Sequence, residues 1–119
     1  MKHTHTETDL PIENQYPKLV RDGIPSMIER DGKAAITHTA EGDEYVSFLL
    51  TKLIEEATEL KNAASLDHQK EEIADVREVL GAIQVALGLR EKEVLAIQSS
   101  KFEERGGFSG RTVLDVRPE

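Results

Sequence analysis

Four carboxylates carry the clearest chemical signal in the chain. Glu56 and Glu59 stand three residues apart in KLIEEATEL (residues 52–60), and Glu72 and Asp75 stand three apart in EEIADVREVL (residues 71–80). On a helix, side chains at i and i+3 lie about 5–6 Å apart on one face, so each pair can aim oxygens at a common point. An all-oxygen set selects Mg²⁺ or Mn²⁺ over zinc or copper, and Mg²⁺ commonly binds through one or two carboxylates plus substrate phosphate oxygens. A di-iron bundle would need Glu-x-x-His on two helices, and His68 is out of that register. His3 and His5 form a second potential metal pair, read as incidental on a polar terminus.

For the two pairs to act together, two helices must bring them to one height. Over residues 43–64 the apolar positions Tyr45, Phe48, Leu49, Leu53, Ala57, Leu60 and Ala64 fall at steps of three and four. Over residues 68–87 Ile73, Val76, Leu80, Ile83 and Leu87 do the same, the spacing of amphipathic helices. Ser65-Leu66-Asp67 makes a tight break between them, with Asp67 as the expected N-cap, so the helices run antiparallel. Glu59 precedes Leu66 by seven residues and Glu72 follows it by six. At about 1.5 Å per residue the pairs sit at nearly equal height. Each pair borders its helix's apolar stripe, where four converging carboxylates repel one another unless cations intervene. A divalent metal answers that repulsion. The plainer alternative is a solvated acidic edge, since Glu is a good helix former.

The other elements follow from punctuation. Residues 1–15 are polar and aperiodic and read as a flexible N-terminal arm, with residues 16–119 as a single domain. Pro25 opens a short helix over residues 25–30. Alternation predicts a short strand over residues 34–39 (AAITHT) and another over residues 112–116 (TVLDV), which could pair. Between them a third long helix over residues 91–105 ends at Gly106-Gly107, where glycine supplies the left-handed conformation of a C-cap. The expected fold is mainly α: an antiparallel helical bundle of three main helices plus a short N-terminal helix, with one or two short strands.

Composition narrows the function classes. The chain has 119 residues, 23 Asp plus Glu against 15 Lys plus Arg, and a formal charge of −8. Residues 41–78 hold eleven acids and four bases, so nearly all the excess negative charge lies in the two carboxylate helices and their approach. Such a chain lacks the excess of Lys and Arg that releases counterions from duplex phosphate, so no nucleic-acid polymer is expected as a partner. The absence of cysteine excludes disulfides, thiolate metal sites and cysteine nucleophiles. No apolar run approaches the ~18–20 residues that span a bilayer, and the start MKHTHTETD lacks a signal-peptide apolar region. No membrane association and a cytoplasmic location are expected.

With these motifs in place, the chain resembles a known superfamily. The pattern E-E-x-x-E followed by E-E-x-x-D is similar to that of the all-α nucleoside triphosphate pyrophosphohydrolases, the MazG and phosphoribosyl-ATP pyrophosphohydrolase superfamily. YPKLVRDGIPSMI (residues 16–28) and KFEERGGFSGRTVL (residues 101–114) look like the opening and closing signatures of the phosphoribosyl-ATP-pyrophosphohydrolase-like branch. The chain departs from that branch at Pro17, where Asn is usual, and at Gly23, where Lys is usual.

The resemblance implies cleavage of a nucleoside triphosphate between the α and β phosphates, giving monophosphate and pyrophosphate, with Mg²⁺ (or Mn²⁺) as cofactor. It implies Glu56, Glu59, Glu72 and Asp75 as metal ligands, with Glu56 thereby part of the catalytic set. Glu55 beside them either orients or deprotonates the attacking water or is a surface residue. Cations must offset the acidic pocket, and the candidates for substrate binding are Lys18, Arg21, Lys101, Arg105 and Arg111. Lys18 and Arg21 are equally readable as structural, with Arg21 paired to Asp22, and Lys101 and Arg105 as solvated charges favouring a helix C-terminus. Phe108 either stacks on a base or latches the helix exit.

House-cleaning of noncanonical nucleotides is the expected role. Phosphoribosyl-ATP hydrolysis in histidine biosynthesis and a noncatalytic helical interaction module are the alternatives. The apolar run Phe48-Leu49-Leu50, with Val79-Leu80, gives the first two long helices more than one apolar side, so a homodimer or higher homo-oligomer completing the bundle is expected.

Overall fold

Pro25 lacks the amide hydrogen that a helix interior requires and holds φ at a helical value, so a helix can begin around it but not run through it. In the computed structural model, which describes residues 15–119, it lies in the first turn of α1 (Ile24–Arg30). The expected N-terminal arm therefore lies, but for Gln15, outside the described residues, as do His3 and His5. Three longer helices follow: α2 (Gly42–Asn62), α3 (Leu66–Ala86) and α4 (Glu91–Arg105). The described residues are all-helical apart from turns and extended segments. None of their helices is long and apolar enough to cross a membrane.

Local chemistry sets the boundaries. Asp43 and Glu44 in the first turn and Lys61 in the last turn of α2 complement its dipole. α3 begins earlier than expected, and its N-cap is Ser65 rather than Asp67: the Ser65 Oγ accepts the His68 backbone N–H at 3.1 Å. Asp67 lies inside the first turn, where its charge suits the helix N-terminus without serving as the cap. At the start of α4 the Glu93 carboxylate reaches back to accept the Arg90 backbone N–H at 2.8 Å. Gly106 ends the helix with φ 80°.

The expected strands do not form. Residues 34–39 and 112–116 are extended or irregular, with no ladder among the described residues. Alternation alone specifies a pleated surface, not the partner that a strand's backbone groups require. Ile36 is 97% exposed, and Val113, Leu114 and Val116 are exposed as well.

The residues up to Leu87 form one compact unit and Gly88–Glu119 another. In the first unit α2 and α3 pack along each other as an antiparallel pair. Their seam is held by Leu49, Val79 and Ile83, with Leu19, Tyr45, Leu53, Ala82 and Ala86 packed around them. Part of the expected stripe on α3 is uncovered, because Ile73, Leu80 and Leu87 remain exposed. At 100° per residue these three lie on the flank beside Val76 and Ile83, and a single partner helix covers only part of so wide an apolar arc. In the second unit α4 buries none of its residues, and Phe102 lies so close to Gly107 that a Cβ there would meet its ring at 2.9 Å.

Candidate metal centre

Six side chains are buried among the described residues, and three of them are glutamates: Glu55, Glu56 and Glu72. They continue the α2–α3 seam beyond Leu49 and Val79, at positions where an ordinary helix pair would place more aliphatic side chains. Glu56 on α2 and Glu72 on α3 are 7% and 6% exposed. Single carboxylate oxygens of Glu56, Glu72 and Asp75 approach within 4.8 Å of one another, as do those of Glu55, Glu56 and Glu59. Glu56 belongs to both trios. The near-equal heights of the two pairs thus appear in three dimensions, and all four carboxylates join one cluster with Glu55 as a fifth member.

The electrostatics are unbalanced at Glu72. Its Oε2 is buried and has no hydrogen-bond partner among the described residues. Burial raises its pKa from 4.5 to about 7, aided by a hydrogen bond shared with Glu56 and by repulsion from Glu59, Glu56 and Asp75. Two ionised carboxylates cannot hydrogen-bond to each other, so sharing requires a proton, whereas a cation would satisfy both oxygens. A buried oxygen without a donor, facing three further carboxylates, fits a hard divalent ion with oxygen ligands.

Basic side chains approach from three elements. The opening segment carries Lys18, whose Nζ lies 3.8 Å from Glu55 Oε2, and Arg21, whose Nη2 donates to Asp75 Oδ1 at 2.7 Å. Arg21 thus pairs across the fold to α3 rather than with the adjacent Asp22. From α2 itself, Lys52 Nζ donates to Glu55 Oε2 at 3.2 Å and lies 3.5 Å from Glu56 Oε2. On α3 His68 Nε2 is 3.6 Å from Glu72 Oε1, one turn away. The sequence alone does not mark Lys52 and His68 as site residues. Their signal was the i,i+4 spacing to Glu56 and Glu72, which is common on any charged helix.

Beside the cluster lies a cavity of about 310 Å³. Arg21, Lys52, Glu56 and Asp75 line it, and Tyr45, Leu49, Val79 and Ala82 continue its wall along α2 and α3. Gly23, where the resembled branch has Lys, is the N-cap of α1, with φ −84° and open space at its Cβ position. The remaining candidates, Lys101, Arg105 and Arg111, belong to the second unit. Lys101 and Arg105 are one turn apart on α4, Arg105 Nε lies 3.4 Å from Glu104 Oε1, and Arg111 has φ 56°. Phe108 is 97% exposed.

No family model matches the chain, and no solved structure matches it. An uncharacterized protein of Mycolicibacterium smegmatis is 42% identical over 50 residues, which are 42% of this chain and 51% of the relative. The chain spans about half the length of that curated relative.

Proposed function

We propose that the chain is a Mg²⁺-dependent nucleoside triphosphate pyrophosphohydrolase of the all-α superfamily that its motifs resemble. The observation that carries this reading is the cluster of Glu56, Glu59, Glu72 and Asp75, in which Glu56 and Glu72 are buried, Glu59 and Asp75 are half-buried, and Glu72 Oε2 lacks a donor. Those four side chains would hold Mg²⁺, or Mn²⁺ in its place. Bound there, the ion supplies neutralisation of phosphate oxygens and acidification of a bound water. Lys18, Arg21 and Lys52 stand where a polyphosphate would approach, and exchange of their present carboxylate partners for phosphate oxygens keeps their charge compensated. Glu55, buried between Lys18 and Lys52, would orient the attacking water or accept its proton.

The uncovered apolar face supports a bundle completed by a second copy. Leu50 and Ile54 on α2, with Ile73 and Leu80 on α3, are all exposed, and helical periodicity puts them on the side of the hairpin opposite the carboxylate cavity. Isologous pairing of that face in a homodimer would convert the hairpin into a four-helix arrangement.

The same ion pairs, Arg21 with Asp75 and Lys52 with Glu55 and Glu56, favour a second reading in which the cluster is a structural network of a noncatalytic module. Incubation with Mg²⁺ and a panel of nucleoside triphosphates, phosphoribosyl-ATP included, separates the two. Nucleoside monophosphate and pyrophosphate should accumulate in equal amounts, and Glu56→Ala should abolish both. Release no greater than that of Glu56→Ala across the panel would reject the enzyme.

A further inference from the structure

The cavity beside the carboxylates continues along α2 and α3 from Glu56 and Asp75 to Tyr45 and Ala82, and its far wall is chemically distinctive. Along α3 the lining residues run Asp75, Glu78, Val79 and Ala82, and along α2 they run Glu56, Lys52, Leu49 and Tyr45. At 1.5 Å per residue, Ala82 lies about 10 Å along the axis from Asp75, and Glu78 lies about 4.5 Å along it. The cationic side chains Arg21 and Lys52 are engaged with carboxylates of the cluster. Beyond them the wall is apolar except for the Tyr45 hydroxyl and the carboxylates of Glu78 and Asp22. Neither of these two carboxylates has a hydrogen bond or ion pair among the described residues.

A carboxylate is an acceptor only, so this part of the cavity recognises donors. Vicinal hydroxyls satisfy it best, because one carboxylate can accept from both, as acidic residues do for the ribose of dinucleotides. Glu78 stands less than one helical turn from Asp75, the distance that separates a sugar from its 5′ phosphate and not from the far edge of a base. Resting on the pyrophosphohydrolase reading, we infer that this cavity holds the nucleoside half of the substrate and that Glu78 reads the ribose 2′,3′-diol, so ribonucleotides are preferred over 2′-deoxyribonucleotides. The base then packs against Tyr45, Leu49 and Val79, apolar surfaces that discriminate weakly among bases.

Calorimetric binding of adenosine monophosphate and 2′-deoxyadenosine monophosphate, both with Mg²⁺, tests this without turnover. Wild-type protein should bind the ribonucleotide about tenfold or more tightly, the effect of a hydrogen bond to a charged acceptor. Glu78→Gln should shrink the ratio to about threefold or less, because the acceptor loses its charge. A wild-type ratio near one, a ratio unchanged in Glu78→Gln, or no binding of either nucleotide would overturn the assignment. So would a Glu78→Gln effect confined to the choice between cytidine and uridine monophosphates, which would place Glu78 at the base. Failure of the parent reading is visible separately, as absence of pyrophosphate release from every triphosphate.

Discussion

At the residue scale the balance turns on Glu72, the buried carboxylate with one oxygen lacking a donor. Its pKa is raised from 4.5 to about 7, so the folded chain holds a proton there that the unfolded chain has released. The folded state binds more protons than the unfolded state between those values, and stability declines as pH rises through that window. In the presence of a chelator, the melting temperature should fall from pH 5 to pH 8, and Glu72→Gln should flatten that slope. A profile in Glu72→Gln as steep as in wild type would remove Glu72 as its source. Glu72→Gln should also leave the metal-free protein as stable as wild type or more so, while weakening Mg²⁺ binding by at least about tenfold, the lower end of what loss of a mere supporting group costs a metal site. A marked loss of metal-free stability would favour the structural network instead. The four carboxylates were legible in the sequence because helical spacing is rigid. The partner of Arg21 was not: Asp75 lies 54 positions away, and its meeting with Arg21 depends on how the opening segment crosses the hairpin.

At the element scale the cluster depends on how α2 is joined to α3. Ser65→Ala should lower stability by about 1 kcal/mol in denaturant unfolding, the ordinary cost of a lost N-cap, whereas Asp67→Ala should cost clearly less. Equal effects would contradict the observed cap. Leu49 is 2% exposed at the centre of a core with only two other buried apolar side chains among the described residues, so Leu49→Ala should cost about 2–5 kcal/mol. Periodicity was sufficient to find the three long helices and the antiparallel join of α2 to α3, since these rest on local spacing and a short loop. It could not say which arc of α3 is covered, because Ile73, Leu80 and Ile83 share one apolar stripe in the sequence and only a partner's position divides them. The two expected strands failed for a related reason, as residues 34–39 and 112–116 carry an alternating pattern without a ladder to join.

At the scale of the whole molecule, helical periodicity puts the carboxylate cavity and the bare apolar flank on opposite sides of one hairpin. Pairing of that flank in a second copy should make the mass by light scattering that of a dimer or larger, and Leu50→Glu with Leu80→Glu should shift it to that of the monomer. A wild-type monomer at every concentration would contradict the completed bundle. Catalysis at this site requires above all that the cluster hold a divalent ion. Titration with Mn²⁺ followed by electron paramagnetic resonance reads that directly, because bound and free ions give different signals. Wild-type protein should take up Mn²⁺ saturably, Mg²⁺ should compete for it, and Glu56→Ala and Asp75→Ala should abolish the uptake. Uptake that is absent in wild type, or unchanged in both variants, would contradict the metal centre and the hydrolase built on it.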